Sequence, residues 1–167
     1  MVKEDRSAVD QSFAVWLSLV VLCGCADQTE KKGVHLYTFA VGTFDGAGEF
    51  TPSDVVSHEI GKLFGYELAI HSTSGKVRVR EVLELPEPGV WSDNDTAPPG
   101  VNVLEQRASE DGKTHIEEFE IECGDKMYKL GQVYEIVDGD PTGAYKFSIY
   151  LDGELAEEAE LRVQKVD

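Results

Sequence analysis

Lysine and arginine are scarce in this chain of 167 residues: 15 of them face 32 aspartates and glutamates, a formal net charge of −17. The shortage excludes nucleic acid as an expected partner, because its phosphates would be repelled and no basic cluster is there to neutralise them. Long apolar runs are missing too. The longest, Phe13 to Cys23, has eleven residues, too few to span a bilayer. No Ser-His-Asp arrangement, P-loop or dinucleotide fingerprint can be found, so no catalytic residue and no cofactor is expected. Cysteine occurs three times, at 23, 25 and 123. What remains is an acidic chain of a length that suits one domain, soluble and disposed towards cationic partners.

The eleven-residue run has the length of a secretory signal core, a segment that is processed rather than folded. Leu22-Cys23-Gly24-Cys25 follows it directly and resembles the lipobox of bacterial lipoproteins: an aliphatic residue, a variable one, a small one, then the cysteine that is lipidated. Lys3 and Arg6 are accompanied by Glu4, Asp5 and Asp10, so the leader departs from the usual net positive charge. The resemblance implies that residues 1–24 are a signal peptide, that Cys25 carries the lipid, and that residues 25–33 are a polar tether. It further implies a membrane contact through this N-terminal lipid. By resemblance to enterobacterial lipoprotein sorting, Ala26 after the cysteine implies the outer membrane, on its periplasmic or surface side. With Cys23 removed and Cys25 acylated, Cys123 has no disulfide partner. It stands on the apolar side of Phe119-x-Ile121-x-Cys123, as a small buried hydrophobe would.

From Val34 onward the chain shows short alternating runs separated by Gly, Pro and Asp turns. Strands are expected at Val34–Thr43, at Phe64-x-Tyr66-x-Leu68-x-Ile70, at Val77–Leu85, at Thr114–Cys123 and at Tyr128–Ile136. Two more are expected at Tyr145–Leu151 and Leu155–Val166, joined by an Asp152-Gly153 hairpin turn. Leu85–Asn102 holds four of the six prolines and reads as a long irregular loop. Glu118, Glu120 and Glu122 form an acidic stripe facing water. Residues 34–167 are thus expected to form one all-β domain, an immunoglobulin-like antiparallel β-sandwich of about seven to eight strands. Phe64-Gly65-Tyr66-Glu67-Leu68 and the closing G-x-Y-x-F-x-I-Y-x-D-G pattern resemble a family of uncharacterised bacterial exported domains with an immunoglobulin-like fold. The resemblance implies architecture and brings no known activity.

Ser57-His58-Glu59-Ile60-Gly61-Lys62 resembles the H-E-x-x-H helix of zinc proteases, and Thr51-Pro52-Ser53-Asp54 before it offers a helix start. A metal-dependent hydrolase using His58 and Glu59 is the alternative this motif raises. Its chemistry fails at Lys62, since zinc needs a second imidazole one turn on and an ammonium has no lone pair to give. His35, His58, His71 and His115 share no ligand spacing, and Asp93-Asn94-Asp95 and Asp138-Gly139-Asp140 complete no calcium loop. No metal site is therefore expected. Trp91 in the long loop is the candidate binding residue, an aromatic able to anchor an envelope protein or glycan, or else to fold back over one end of the sandwich. The expected protein is a non-catalytic envelope lipoprotein whose domain binds or supports.

Overall fold

Period-two patterning produces strands over almost the whole domain. In this computed structural model the residues described are 33–73, 75–91, 101–123 and 127–165. The leader, Cys25 and the Asp93-Asn94-Asp95 segment lie outside them. Among these residues run β1 (Val34–Phe44), β2 (Phe50–Pro52), β3 (Val55–Ser57), β4 (Leu63–Ser72), β5 (Lys76–Glu84), β6 (Val101–Ala108), β7 (Thr114–Glu122), β8 (Tyr128–Glu135), β9 (Gly143–Leu151) and β10 (Glu154–Gln164). Seven of these are the strands read from alternation. The other three, β2, β3 and β6, leave no such mark. β2 and β3 are three residues each, too short to show a period, and they occupy the segment where Thr51-Pro52-Ser53-Asp54 suggested a helix. β6 is mostly exposed and its register with β7 shifts between Val103 and Glu105, so the alternation is broken.

The strands form a four-stranded sheet, β2-β1-β4-β8, and a six-stranded one, β3-β10-β9-β5-β7-β6. All pairings are antiparallel except β3 with β10, which run parallel. β1-β4-β8 against β10-β9-β5 is the A-B-E against G-F-C arrangement of an immunoglobulin sandwich, with β7 and β6 extending the second sheet. A local contact agrees: Tyr145 at the start of β9 donates its hydroxyl to the Pro141 carbonyl at 2.7 Å, a tyrosine corner. Two residues on, where antibody domains carry a disulfide cysteine, stands Phe147. Its ring meets Tyr66 of β4 edge-on at 5.9 Å, so aromatic packing between the sheets takes the disulfide's place.

The inward residues of each strand are those the alternation selects: Val77, Val79 and Leu83 on β5, Phe119 and Ile121 on β7, and Tyr145, Phe147 and Ile149 on β9, all buried. Cys123 is buried and unpaired in the same core. Burial pushes its thiol above the ordinary range, the reverse of an activated nucleophile. On the outer face, Glu118, Glu120 and Glu122 lie in register beside Arg80, Arg78 and Lys76 of β5. Lys76 reaches Glu120 at 2.6 Å and Arg78 reaches Glu118 at 3.3 Å. The acidic stripe is thus partly neutralised by its neighbour strand, through exposed pairs that solvent screens.

Two glycines test the frame. Gly65, at φ 153°, sits mid-β4, where a Cβ would lie 1.9 Å from the Gln132 carbonyl oxygen of β8. Gly153 closes the β9–β10 hairpin with Asp152 at φ 49° and itself at φ 85°, and a Cβ there meets nothing within 4 Å. Gly65→Ala is therefore expected to cost more than about 2 kcal/mol through the clash, and Gly153→Ala about 1 kcal/mol through backbone conformation alone. Urea denaturation midpoints of the two variants check this order; equal losses would contradict it.

Candidate functional site

Six strands cannot be covered by four. β8 ends its sheet above β5 and β7: Tyr134 reaches down to Glu81 of β5, and the Gln132 side-chain amide donates to Glu117 Oε2 of β7 at 2.9 Å. Among the described residues nothing in the four-stranded sheet lies beyond β8, so β6 and the outer half of β7 overhang. The step between the two sheets is a groove of about 600 Å³.

Three loops close one end of this groove. Trp91 lies flat against His115 of β7, with ring centroids 4.9 Å apart and planes 17° apart, and its indole N–H donates to the Gly112 carbonyl at 2.8 Å. Asp140 ties two loops together: one carboxylate oxygen accepts the Val90 amide at 3.2 Å and the other the Val137 amide at 2.9 Å. Its carbonyl accepts the His58 Nε2–H at 2.8 Å. Trp91 is consequently folded back and half-buried, with one face of the indole used by His115. Glu117, Glu135, Asp138 and Asp140 line the groove, and no lysine or arginine stands among its described lining residues.

Beneath the floor is a group that the strand pattern hides. Glu81 is fully buried, between β4 and β8. Tyr66 donates to its Oε2 at 2.9 Å and Tyr134 donates to Oε1. Its register partner on β7 is Glu117, also largely buried. Desolvation pushes the Glu81 carboxyl up to about 7, against the two tyrosine hydrogen bonds, which pull it down. Desolvation raises Glu117 in the same direction. Sealed from solvent and held by two phenols, Glu81 is closed to a substrate, so the two carboxyls do not make an acid–base pair across a reacting bond. A signal was present in the sequence: in Val77-x-Val79-x-Glu81-x-Leu83 the inward phase is interrupted by one acid.

The remaining sequence candidates are scattered. His58 and Glu59 follow β3 in a turn, not a helix. A one-turn spacing of zinc ligands has no helix to project from there, and Lys62 caps the turn by donating its amide to the Glu59 carbonyl at 3.0 Å. His35 and His71 are register partners on β1 and β4, remote in the fold from His115 on β7. Among the described residues no three His, Cys, Asp or Glu side chains gather as metal ligands would. Asp138-Gly139-Asp140 is a turn whose second aspartate is spent on backbone amides.

The family model described as PM0630 beta sandwich domain matches residues 37–164. No curated protein matches the sequence. Among solved structures, an immunoglobulin-like protein (PA1606) from Pseudomonas aeruginosa is 16% identical with a TM-score of 0.48, over 83% of this chain and 99% of that one. The Pseudomonas fluorescens alkylpurine DNA glycosylase AlkC, bound to DNA containing an abasic site analog, is 13% identical with a TM-score of 0.46, over 79% of this chain and 30% of the glycosylase. The chain therefore spans less than a third of that enzyme.

Glu81 gives the domain a signed pH dependence. In the unfolded chain the residue ionises near its ordinary 4.5, and in the fold near 7. Between these values the folded state keeps a proton that the unfolded state has released, so stability falls as pH rises across the window and levels off above it. The loss is on the order of 3 kcal/mol. Glu81→Gln, which cannot ionise, is expected to remove this part of the slope. Urea unfolding of both proteins at pH 5 and pH 8 reads it directly, as a wild-type-minus-variant stability difference that falls as pH rises.

Proposed function

The chain belongs to the PM0630 beta sandwich domain family, and from that premise we propose that it is a non-catalytic binding or structural module of the bacterial envelope. The lipid on Cys25 holds it to the outer membrane, and the sandwich stands on the periplasmic or surface side. Its partner is a protein or glycan of that compartment, received in the groove beside Trp91. One observation carries the reading: the uncovered step between the sheets, walled by the pinned Trp91–His115 pair and open along β8. A recessed site with an aromatic wall and convergent polar groups is what recognition sites present. The apolar run ending in Leu22-Cys23-Gly24-Cys25 supports the anchorage.

Two outcomes are expected. Radiolabelled palmitate should enter the full-length protein in a bacterial host and should not enter Cys25→Ala, which should leave the membrane fraction; an unlabelled, soluble wild type would refute the anchor. In cross-linking on intact envelopes, Trp91→Ala should lose at least nine-tenths of the partner adduct, because removing the indole opens the groove's end wall. An unchanged adduct from a folded variant, verified by circular dichroism, would place recognition elsewhere.

A further inference from the structure

The groove is bounded by the free edge of a strand, and the other three sheet edges differ from it. β2 and β3 are three residues long, and β6 is interrupted by its register shift at Leu104. A bulge or a short strand protects an edge from accepting another chain. β8 has neither protection: it runs eight residues, contains no proline, and pairs with β4 without a shift from Glu135 to Tyr128. In immunoglobulin constant domains a fourth strand lies beyond E in this sheet. Here the chain sends β6 and β7 to the opposite sheet instead, and the position beyond β8 is the groove. An extended segment laid there would meet the backbone edge of β8 on one side and the inward face of β6 and β7 below.

The side chains that such a segment would meet are specific in charge. Glu117 is 8% exposed and directly under Gln132 of β8. Among the described residues its carboxylate receives that one amide and has no ion pair. Glu135 and Asp138 lie along the same groove, again without a cation, and the chain as a whole carries a net charge of −17. A carboxylate buried this far gains most from a donor that brings positive charge with it. Val103, 39% exposed on β6, offers apolar surface for the hydrocarbon stem of a lysine or arginine.

We propose that the groove takes an extended basic peptide segment of a partner protein, which adds as a strand to β8 and directs a lysine or arginine side chain to Glu117. Backbone hydrogen bonds to β8 supply the affinity and the carboxylate supplies the choice of sequence. This rests on the binding-module reading and names the partner's chemistry. Residues 92–100, which lead from Trp91 towards β6, are an unsuitable occupant by sequence: Ser-Asp-Asn-Asp-Thr-Ala-Pro-Pro-Gly holds two acids, two prolines and no base, and proline withholds a ladder donor.

The test uses the full chain in detergent and blocked ten-residue peptides of alternating lysine and threonine, measured by isothermal titration calorimetry. The lysine peptide is expected to bind, the matched glutamate peptide not to bind, and a lysine peptide N-methylated at alternate backbone amides to lose at least tenfold. Glu117→Gln should weaken the lysine peptide at least tenfold, whereas Glu158→Gln on the outer part of β10 should leave it unchanged. The N-methylated peptide leaves the protein intact, so that arm holds even where a variant folds poorly. Equal binding of both charges, full binding of the N-methylated peptide, or equal binding of free spermine would overturn the proposal. So would binding that emerges only after residues 92–100 are deleted, since the chain's own segment would then be the occupant. If no peptide binds while Trp91→Ala still abolishes the envelope adduct, the strand-addition proposal falls and the module reading stands. If both fail, both fall.

Discussion

The two sheets are tied across the core by a fully buried carboxyl. Glu81 on β5 accepts hydrogen bonds from Tyr66 on β4 and from Tyr134 on β8, two strands of the opposite sheet that are themselves neighbours. A carboxyl without partners in that position would cost several kcal/mol. The fold is therefore acceptable only when β4, β5 and β8 all present the correct phase at the correct height. A slip of one residue in any of them would turn a phenol outward or bring the acid against aliphatic side chains. Aliphatic packing tolerates small displacements, whereas three polar atoms that must meet do not, and this is how a polar interaction of modest net strength sets register.

From that register follows the placement of the groove. With β8 anchored over β5, the four-stranded sheet stops short of β6, and the outer part of β7 is left facing solvent. Acids on β7 consequently divide by phase. Those of the outer phase, Glu118 and Glu120, find cations on β5. Glu117, of the inner phase, is drawn under β8 and finds only an amide. The same residue type thus serves solubility on one face and creates an unfilled requirement on the other. Trp91 and Asp140 then give the step an end wall by tying the loops around it to backbone groups.

Much of the fold was legible wherever one face of a strand is buried and the other wet, because burial imposes a period of two on the residues themselves. β4, β5, β7 and β9 show it, and the Asp152-Gly153 turn, with both residues at positive φ, has a local chemical requirement that two letters express. β2 and β3 were illegible because three residues carry no period, and β6 because an overhanging strand has no buried face to impose one. The suggested helix at Thr51 failed for a related reason. Capping residues are compatible with a strand start, and pairing with β1 and β10 outweighed a local preference that is small in energy.

By itself, the sequence determined the class of structure, the acidity and the phase of each long strand, since these depend on side-chain chemistry and on neighbours within a few positions. It also contained two acids that interrupt the apolar phase, Glu81 and Glu117, without saying what they meet. Only the tertiary structure decided that one acid is satisfied by two phenols and the other is left at the bottom of a groove. That difference depends on which strands face each other across the sandwich and on where the smaller sheet ends. Pairings between residues 15 and 53 positions apart are set by the closing of the whole core, and no local pattern encodes them.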